Sequence, residues 1–317
     1  MKKILVTGGA GFIGGNACNA LASLGYDVIA FDNLSLGRKE NLDPKVHFVK
    51  GDVNDPAQLA SVGSVDHVIH LAASSSAPMF KEALVKSYAN NILGYLTLLE
   101  YAQAHGVKKV LFASTSSVYG SSAVPLTEDQ QISLPNFYAA SKYAAEQASE
   151  LFHKNYGLEI IAFRFMSVYG PHEEHKGRFA NLVSQFIWGM EEGKQPIIYG
   201  DGTQTRDFTN VADVVQAFKL ALETPKQFGF AVFNVGTAEA IMVKDLIPII
   251  NKHLKTSIEG KFIPNPIRVG YIESQLGDVG KIKSELGFEP RVSLEEGIAE
   301  IVKKRAENPV APASLSF

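Results

Sequence analysis

The fold of this chain is decided by VTGGAGFIG at residues 6–14. Its glycines have the spacing GxxGxxG, directly after an apolar run and directly before a helical pattern. Glycine lets the backbone turn tightly and approach a pyrophosphate, and the helix N-terminus offers free N–H groups to phosphates. A glycine triplet alone is a weak signal, but this strand–turn–helix context predicts a dinucleotide site. The predicted contacts are Gly8, Gly11, Phe12, Ile13 and Gly14.

Outward from this turn, short apolar runs alternate with longer helical patterns through the first half of the chain. The patterns predict strands at 3–7, 27–31, 47–50, 67–71, 110–114 and 159–163, and helices at 14–24, 83–105 and 136–156. Such alternation is typical of βαβ units around a parallel sheet. The predicted fold class is therefore α/β, with a Rossmann-type doubly wound parallel sheet.

A carboxylate at the end of the second predicted strand favours NAD as the dinucleotide. Asp32 lies eighteen residues beyond the last glycine of the turn, where it would accept hydrogen bonds from ribose hydroxyls and repel a 2′-phosphate. Asn33 is predicted to contact the same cofactor. Asp52 and Val53 follow the third strand and are predicted at the adenine, although a turn role is the alternative for Asp52. Arg38 could serve a phosphate or be a solvated loop residue.

The regular alternation weakens after residue 170, where a polar loop at 172–178 and an apolar helical pattern at 179–190 follow. A buried-strand pattern returns at 231–235, so we expect the chain to rejoin the main sheet there. We predict an NAD-binding Rossmann domain at 1–165, with a returning segment near 205–236. The segments 166–204 and 237–317 are predicted to form a smaller C-terminal substrate-binding lobe, whose last residues are expected to fray.

Composition restricts the kind of partner that the chain can bind. Its 317 residues are 46% hydrophobic and 20% charged, which suits one large core with a smaller lobe. The formal net charge of -3 leaves no basic excess for nucleic acid or a membrane surface. The single cysteine, Cys18, excludes an internal disulfide and fits a reducing compartment. Because glycines interrupt any signal-peptide pattern, the expected location is the cytoplasm.

A tyrosine and a lysine stand one helical turn apart in the predicted helix at 136–156. Tyr138 and Lys142 share a face, so an ammonium group can lie close to a phenolic oxygen. A phenol with a pKa of about 10 is a poor base at neutral pH, and an adjacent cation favours its ionised form. Such a pair also occurs by chance. This pair is informative because it follows a predicted strand that ends in STSSVYG at 114–120.

Five segments resemble, in order, the extended short-chain dehydrogenase/reductase family of nucleotide-sugar epimerases and dehydratases. They are TGGAGFIG at 7–14, HLAA at 70–73, STSSVYG at 114–120, YAASK at 138–142 and RDF at 206–208. The resemblance covers almost the whole chain. It implies that Thr115 is the catalytic hydroxyl residue, that Tyr138 is the general base and that Lys142 binds the nicotinamide ribose. It also implies cofactor contacts at Leu71, Ala72, Ala73 and Asn90.

The resemblance further implies how a nucleotide diphosphate would be held. Arg206 and Arg268 match the family's two phosphate-binding arginines, and the planar fork of arginine suits phosphate oxygens. An ion pair with a neighbouring aspartate is the alternative for Arg206. Asn181 and Leu182 match an Asn-Leu pair at the nucleotide. Ser167 is predicted to contact substrate, although it stands where the family commonly has asparagine.

The residues after the catalytic hydroxyl disfavour dehydration. Dehydratases of this family carry Asp-Glu there, because elimination of water needs another acid and base, whereas this chain has Ser116 and Ser117. An epimerase needs only a reversible hydride transfer and a loose hold on the sugar. We therefore predict an isomerase that interconverts UDP-glucose and UDP-galactose at C4 through a transient keto-sugar. The resemblance also implies a homodimer formed through the helices at 83–105 and 136–156.

One loop favours a rival reaction. The stretch PHEEHKG at 171–177 is similar to the loop of ADP-heptose 6-epimerases, in which the lysine matching Lys176 is a second acid/base. A solvated mixed-charge loop is the plain alternative, and no metal site is predicted because zinc-motif spacing is lacking. The remaining alternatives are a dehydrogenase or decarboxylase of a nucleotide sugar and, outside catalysis, an NAD-dependent sensor.

Overall fold

The structure, a computed structural model, describes residues 2–267 and 270–309. The strands are β1 (Lys3–Thr7), β2 (Asp27–Asp32), β3 (His47–Lys50), β4 (His67–His70), β5 (Lys109–Thr115), β6 (Glu159–Phe165), β7 (Ser167–Tyr169), β8 (Ile197–Tyr199), β9 (Thr205–Arg206), β10 (Phe208–Asn210), β11 (Phe230–Val235), β12 (Ile241–Met242) and β13 (Lys261–Ile263). The helices are α1 (Phe12–Ser23), α2 (Pro56–Ala60), α3 (Ala77–Glu82), α4 (Leu84–Ala104), α5 (Phe137–Tyr156), α6 (Leu182–Glu191), α7 (Val211–Glu223), α8 (Leu246–Leu254), α9 (Gly280–Leu286) and α10 (Leu294–Glu307).

The central sheet has seven parallel strands in the order β11-β6-β5-β4-β1-β2-β3. The strand order reverses between β1 and β4, so a crevice opens beyond the carboxyl ends of these two strands. This arrangement confirms the predicted doubly wound α/β fold. Strand β11 extends the sheet beyond β6 and agrees with the apolar pattern at 231–235.

Apolar side chains cover both faces of the central sheet. On one face, Cys18 of α1 belongs to the same buried cluster as Phe218 of α7 and Phe163 of β6, whose rings meet edge to face. On the other, Tyr95 of α4 packs with Phe112 of β5. Burial on both faces explains why these strands are nearly continuous apolar runs and not alternating ones.

A third apolar cluster lies outside the central sheet and joins α6, α8 and α10. Trp188, Leu246 and Ile298 are among its buried members. Three small sheets accompany it, with β7 parallel to β10, β8 parallel to β13 and β9 antiparallel to β12. The predicted boundaries of a separate substrate-binding lobe stay a prediction. None of the helices within the described residues combines the length and apolar character needed to cross a membrane.

Two local differences from the predicted elements have simple causes. The helix predicted at 83–105 is preceded by a separate helix, α3, because Ala83 has the non-helical angles φ -146° and ψ 65°. The loop predicted at 172–178 overlaps a 3₁₀ segment at Glu174–Phe179, which is kinked at Gly177 (φ 48°, ψ -123°). The preceding Glu173 is buried, and its carboxylate accepts from Lys176 within the segment and from Ser184 of α6, which anchors the segment against this helix.

Candidate active site

A cleft of about 890 Å³ lies beyond the carboxyl ends of β1, β4 and β5. Most of the residues predicted as a site from the sequence line it: Gly8, Gly11, Phe12, Ile13, Gly14, Asp32, Asn33, Asp52, Val53, Leu71, Ala72, Ala73, Asn90, Thr115, Tyr138, Lys142, Ser167, Lys176 and Asn181. Leu182 and Arg206 are not among the lining residues, and Arg268 lies outside the described residues. The structure therefore gathers residues from many separate segments around one cavity, while their roles stay predictions.

The glycine turn at one end of the cleft has no room for side chains. Gly8 has φ +68°, and a Cβ there would lie 2.7 Å from the backbone nitrogen of Ala72. A Cβ on Gly14 would overlap the carbonyl oxygen of Gly8. No side chain caps α1, whose N-cap is Gly11, so its first N–H groups can serve a ligand. Such a bare cradle at a helix N-terminus fits the pyrophosphate of NAD.

Asp32 is held at the edge of this turn by two backbone hydrogen bonds. Its Oδ1 accepts from the Leu34 N–H at 2.7 Å and its Oδ2 from the Ala10 N–H at 3.1 Å. Burial raises the pKa of the carboxyl group, and the two hydrogen bonds oppose that rise. Asn33 extends the same wall by donating to Asp52 Oδ2 at 3.2 Å. The carboxylate position fits the predicted ribose contact.

The proposed acid–base residues meet where α5 crosses the end of β5. Burial raises the pKa of Tyr138, and a hydrogen bond with the Thr115 side chain opposes that rise. Lys142 is buried, and its Nζ donates to the Ala113 carbonyl oxygen at 2.8 Å. Burial lowers the pKa of this ammonium group to about 7. Among the contacts of the described residues, Lys142 is therefore bonded to the backbone and not to the phenol of Tyr138.

An asparagine that the sequence analysis missed joins the loop after β4 to α5. Asn91 is buried, and its side chain bonds both the N–H and the C=O of Ser74, at 2.8 and 3.1 Å. It also donates to Ser141 Oγ at 3.1 Å. The neighbouring Asn90, which was selected from the sequence, lines the cleft and accepts from Asn54 at 3.0 Å. Helical spacing contained the signal, because Asn91 lies four residues from other buried positions of α4.

A second missed residue, Gln275, crosses the far end of the cleft. Its Nε2 donates to Ser116 Oγ at 2.8 Å, and its Oε1 accepts from Ser167 Oγ at 2.7 Å. All three side chains line the cleft. No local pattern around residue 275 could have shown this, since the two bonded partners lie more than a hundred residues earlier.

Lys176 lies against the glycine turn and carries a counterion. Its Nζ is 2.8 Å from Glu173 Oε1 and 5.3 Å from the centre of the Phe12 ring. The same carboxylate accepts from the Asn181 N–H at 2.9 Å and from Ser184 Oγ at 2.6 Å. The lysine is therefore fixed by a buried carboxylate, which a solvated loop would not provide.

Only some of the residues predicted to bind the nucleotide line the cleft. Asn181 caps α6 by accepting from the Val183 N–H at 3.0 Å, and its Nδ2 donates to the Val168 carbonyl at 3.0 Å. Arg206 is half-buried beside the Tyr271 ring, 5.6 Å from its centre, and donates to the Thr205 carbonyl at 2.7 Å. In the described part of the chain, no group of three or more His, Cys, Asp or Glu side chains is placed to hold a metal ion.

The NAD dependent epimerase/dehydratase family matches residues 4–236 of this chain. A Methanocaldococcus jannaschii protein, provisionally named a UDP-glucose 4-epimerase, is 37% identical over 309 residues, which is 96% of this chain and 99% of that protein. The crystal structure of a Thermotoga maritima UDP-glucose 4-epimerase with UDP-glucose has a TM-score of 0.90 and 34% identity, covering 96% of this chain and 99% of that one.

A third similarity is to the UDP-N-acetylglucosamine 4-epimerase of Methanobrevibacter ruminantium in complex with UDP-N-acetylmuramic acid. Its TM-score is 0.90 at 33% identity, and the match covers 96% of this chain and 98% of that one. These similarities extend over nearly all of the chain and agree with the bare glycine cradle and the Asp32 carboxylate beside it. The chain therefore belongs to the NAD-dependent epimerase/dehydratase family, whose cofactor is NAD.

Proposed function

We propose that the protein interconverts UDP-glucose and UDP-galactose by epimerisation at C4. The observation that carries the proposal is that Tyr138, hydrogen-bonded by Thr115, lies in the same cleft as the glycine cradle. A proton-transfer group and a dinucleotide site in one cavity suit a reversible oxidation of a sugar hydroxyl. The UDP-glucose 4-epimerases among the similar proteins support this choice of sugar.

In this reaction Tyr138 Oη takes the proton of the C4 hydroxyl and later returns it. NAD held at the glycine cradle and Asp32 would supply the reversible hydride transfer at C4. Burial alone would hold the phenol protonated, so its ionisation depends on the Thr115 hydrogen bond and on a nearby cation. Lys142 is the cation closest in sequence, and with a pKa of about 7 its charge depends on its surroundings.

The groups beside Thr115 support epimerisation over dehydration. Ser116 is engaged by the amide of Gln275, which also bonds Ser167. Neutral hydroxyl and amide groups supply neither the extra acid nor the extra base that elimination of water requires. We assign the sugar to this end of the cleft. We assign the diphosphate to Arg206 and Arg268, with Asn181 and Leu182 at the nucleotide.

Lys176 favours a second candidate, epimerisation of an ADP-heptose at C6. Its ammonium lines the cleft and is held by Glu173, so a second proton-transfer group is available besides Tyr138. A 4-epimerase can manage with the tyrosine alone if the keto-sugar turns. Lys176→Ala is therefore expected to keep UDP-galactose turnover near normal. The second candidate is favoured instead if the natural protein epimerises ADP-heptose and Lys176→Ala loses that turnover by several orders of magnitude while retaining NAD.

The decisive experiment supplies the purified protein, without added cofactor, with UDP-galactose and follows UDP-glucose by proton NMR. Conversion to an equilibrium mixture would support C4 epimerisation with NAD retained from one turnover to the next. No conversion, even after addition of NAD, would reject this substrate and move the test to ADP-heptose and UDP-N-acetylglucosamine.

The role of Tyr138 is tested in the same assay. Tyr138→Phe removes only the phenolic oxygen, and we expect turnover to fall by about 100-fold or more, in the range of a lost general base. The matched control is Tyr156→Phe, which makes the same change at an exposed position at the end of α5. Equal activity of the two variants would contradict the assignment of Tyr138 as the general base.

A further inference from the structure

The end of β5 is joined to α5 through the two residues of the proton-transfer centre. The carbonyl oxygen of Ala113 accepts from Lys142 Nζ at 2.8 Å. The Thr115 hydroxyl, which lines the same cleft as Tyr138, lowers the pKa of that phenol against the effect of burial. Both contacts depend on the rotation of α5 about its own axis, because that rotation would carry Tyr138 and Lys142 away from the end of β5.

A buried ion pair lies one helical turn beyond Lys142. Ser114, between the two strand residues named above, donates through Oγ to Glu146 Oε1. Arg164 of β6 donates to the same carboxylate twice, from Nε to Oε1 at 3.0 Å and from Nη2 to Oε2 at 2.7 Å. The side chains of Arg164 and Glu146 are only 4% and 3% exposed. A two-point bond between planar groups fixes orientation as well as distance.

The arginine is itself held on its other side. Arg164 Nη1 donates to Tyr119 Oη at 3.0 Å and to the Glu128 carbonyl at 3.2 Å. Tyr119 in turn donates to Asn234 Oδ1 of β11 at 2.7 Å. Asn234 Nδ2 completes the chain by donating to the Leu126 carbonyl at 2.8 Å. The ion pair is therefore tied to β6, to β11 and to the loop that follows β5.

A buried ion pair is by itself weak evidence of a stabilising role, and this pair takes no direct part in the chemistry. Removing both ions from water is expensive, and well-packed apolar residues often replace such a pair without loss of stability. Neither Glu146 nor Arg164 lines the cleft. The pair does, however, join the strand and the helix that carry Thr115 and Tyr138.

We propose that Glu146 and Arg164 are positioning residues for the proton-transfer centre. Their ion pair fixes the rotation of α5 against β5, and this keeps Lys142 on the Ala113 carbonyl and the hydroxyl of Tyr138 beside Thr115. The Thr115 hydrogen bond lowers the pKa of Tyr138 against the effect of burial. A rotated helix would lose that bond, so the phenol would ionise only at higher pH.

The chain contains a matched control for this proposal. Lys109 and Glu159 form a second buried ion pair, with Nζ and Oε1 3.5 Å apart and side chains 6% and 5% exposed. They are the first residues of β5 and β6, at the ends of these strands that lie away from the cleft. A change in this pair perturbs the same two strands without touching α5 near the site.

The test uses the full chain with Arg164→Lys and Glu146→Asp, and with Glu159→Asp as the control. These changes keep every charge, so they alter the geometry of each pair and not its sign. The ionisation of Tyr138 is followed by the ultraviolet absorbance of tyrosinate, as the difference from a Tyr138→Phe background. Turnover of UDP-galactose is measured in parallel as kcat and KM.

We expect both test variants to titrate Tyr138 at higher pH and to lose kcat by up to about 100-fold, with KM within about twofold. The control should lose thermal stability only. Unchanged titration and kcat in a folded Glu146→Asp protein, or equal effects in Glu159→Asp, would overturn the proposal. The kinetic readout rests on the proposed function, but the titration does not. A shifted titration without any turnover would support positioning and reject the substrate.

Discussion

Burial moves the pKa values of Lys142 and His70 far below their ordinary values. Loss of water lowers the pKa of Lys142 from 10.5 to about 7, and it lowers that of His70 from 6.5 to about 3, with the lysine charge adding to the second effect. His70 stays neutral and hydrogen-bonds Thr7 Oγ1 at 2.8 Å. Neutral His70 therefore sits beneath the site as a structural group.

The titration of His70 leads to a prediction for acid stability. The unfolded chain binds a proton at this position below about pH 6.5, whereas the folded chain does so only near pH 3. Neutral His70 therefore contributes fully to the stability of the fold above about pH 6.5, and this contribution is lost as the pH falls from 6.5 towards about 3. In urea denaturation between about pH 7 and 4, His70→Gln should show a shallower decline than the natural chain. His47→Gln, at an exposed position, should decline in parallel with it.

The close approach of Gly14 to Gly8 in the glycine turn leads to a prediction for NAD binding. Gly14→Ala would place a methyl group on the Gly8 carbonyl oxygen, so the turn must open and NAD binding should be lost. Gly15→Ala is the control, because its Cβ would meet nothing closer than the Gly9 carbonyl oxygen at 3.9 Å. NAD content of the purified variants, read by absorbance after denaturation, measures the difference. Full NAD content in Gly14→Ala would contradict the close approach.

At the scale of elements, one buried carboxylate ties three segments together. Asp207, between β9 and β10, accepts from the N–H groups of Thr237 at 2.8 Å, Ala238 at 3.1 Å and Gly277 at 3.3 Å. These donors lie after β11 and in the segment that carries Gln275. The carboxylate therefore helps to place one wall of the cleft.

Removing this carboxylate should destabilise the fold without touching the glycine turn. Asp207→Ala leaves the three N–H groups without their acceptor, which is expected to cost about 1–3 kcal/mol or more in the free energy of unfolding. The control is Asp201→Ala, since Asp201 is exposed in the preceding loop. Chemical denaturation measures the free energy of unfolding of both variants. If Asp207→Ala lost no more than Asp201→Ala, the stabilising role of the Asp207 carboxylate would be contradicted.

At the scale of the whole molecule, the two long helices expose apolar side chains. Leu93 of α4 is 57% exposed and Leu151 of α5 is 58% exposed. Exposed apolar residues on neighbouring helices are typical of an interface between two copies of a chain. They support the homodimer expected from the sequence.

The dimer is tested by its mass in solution. Light scattering should give two chains of 34.4 kDa for the natural protein and one chain for a Leu93→Glu, Leu151→Glu variant. The control is Phe262→Glu, which is 52% exposed but lies on β13, away from these helices. A natural protein that is a monomer, or a control that dissociates equally, would contradict this interface.

The amino-acid sequence by itself determined the features that depend on neighbours along the chain. The GxxGxxG turn, the apolar strands, Asp32 at the end of β2 and the one-turn spacing of Tyr138 and Lys142 are local patterns, because backbone periodicity and glycine conformations act within a few residues. The structure found each of them where the pattern placed it.

Only the tertiary structure decided which distant side chains meet. Gln275 bonding Ser116, Glu146 pairing with Arg164 and Lys142 donating to Ala113 all join residues from different elements. Such contacts depend on the summed packing of strands and helices, and a linear pattern does not encode that packing. Helical spacing marks Asn91 as a buried position of α4, but only the packed structure shows that its side chain donates to Ser141 of α5.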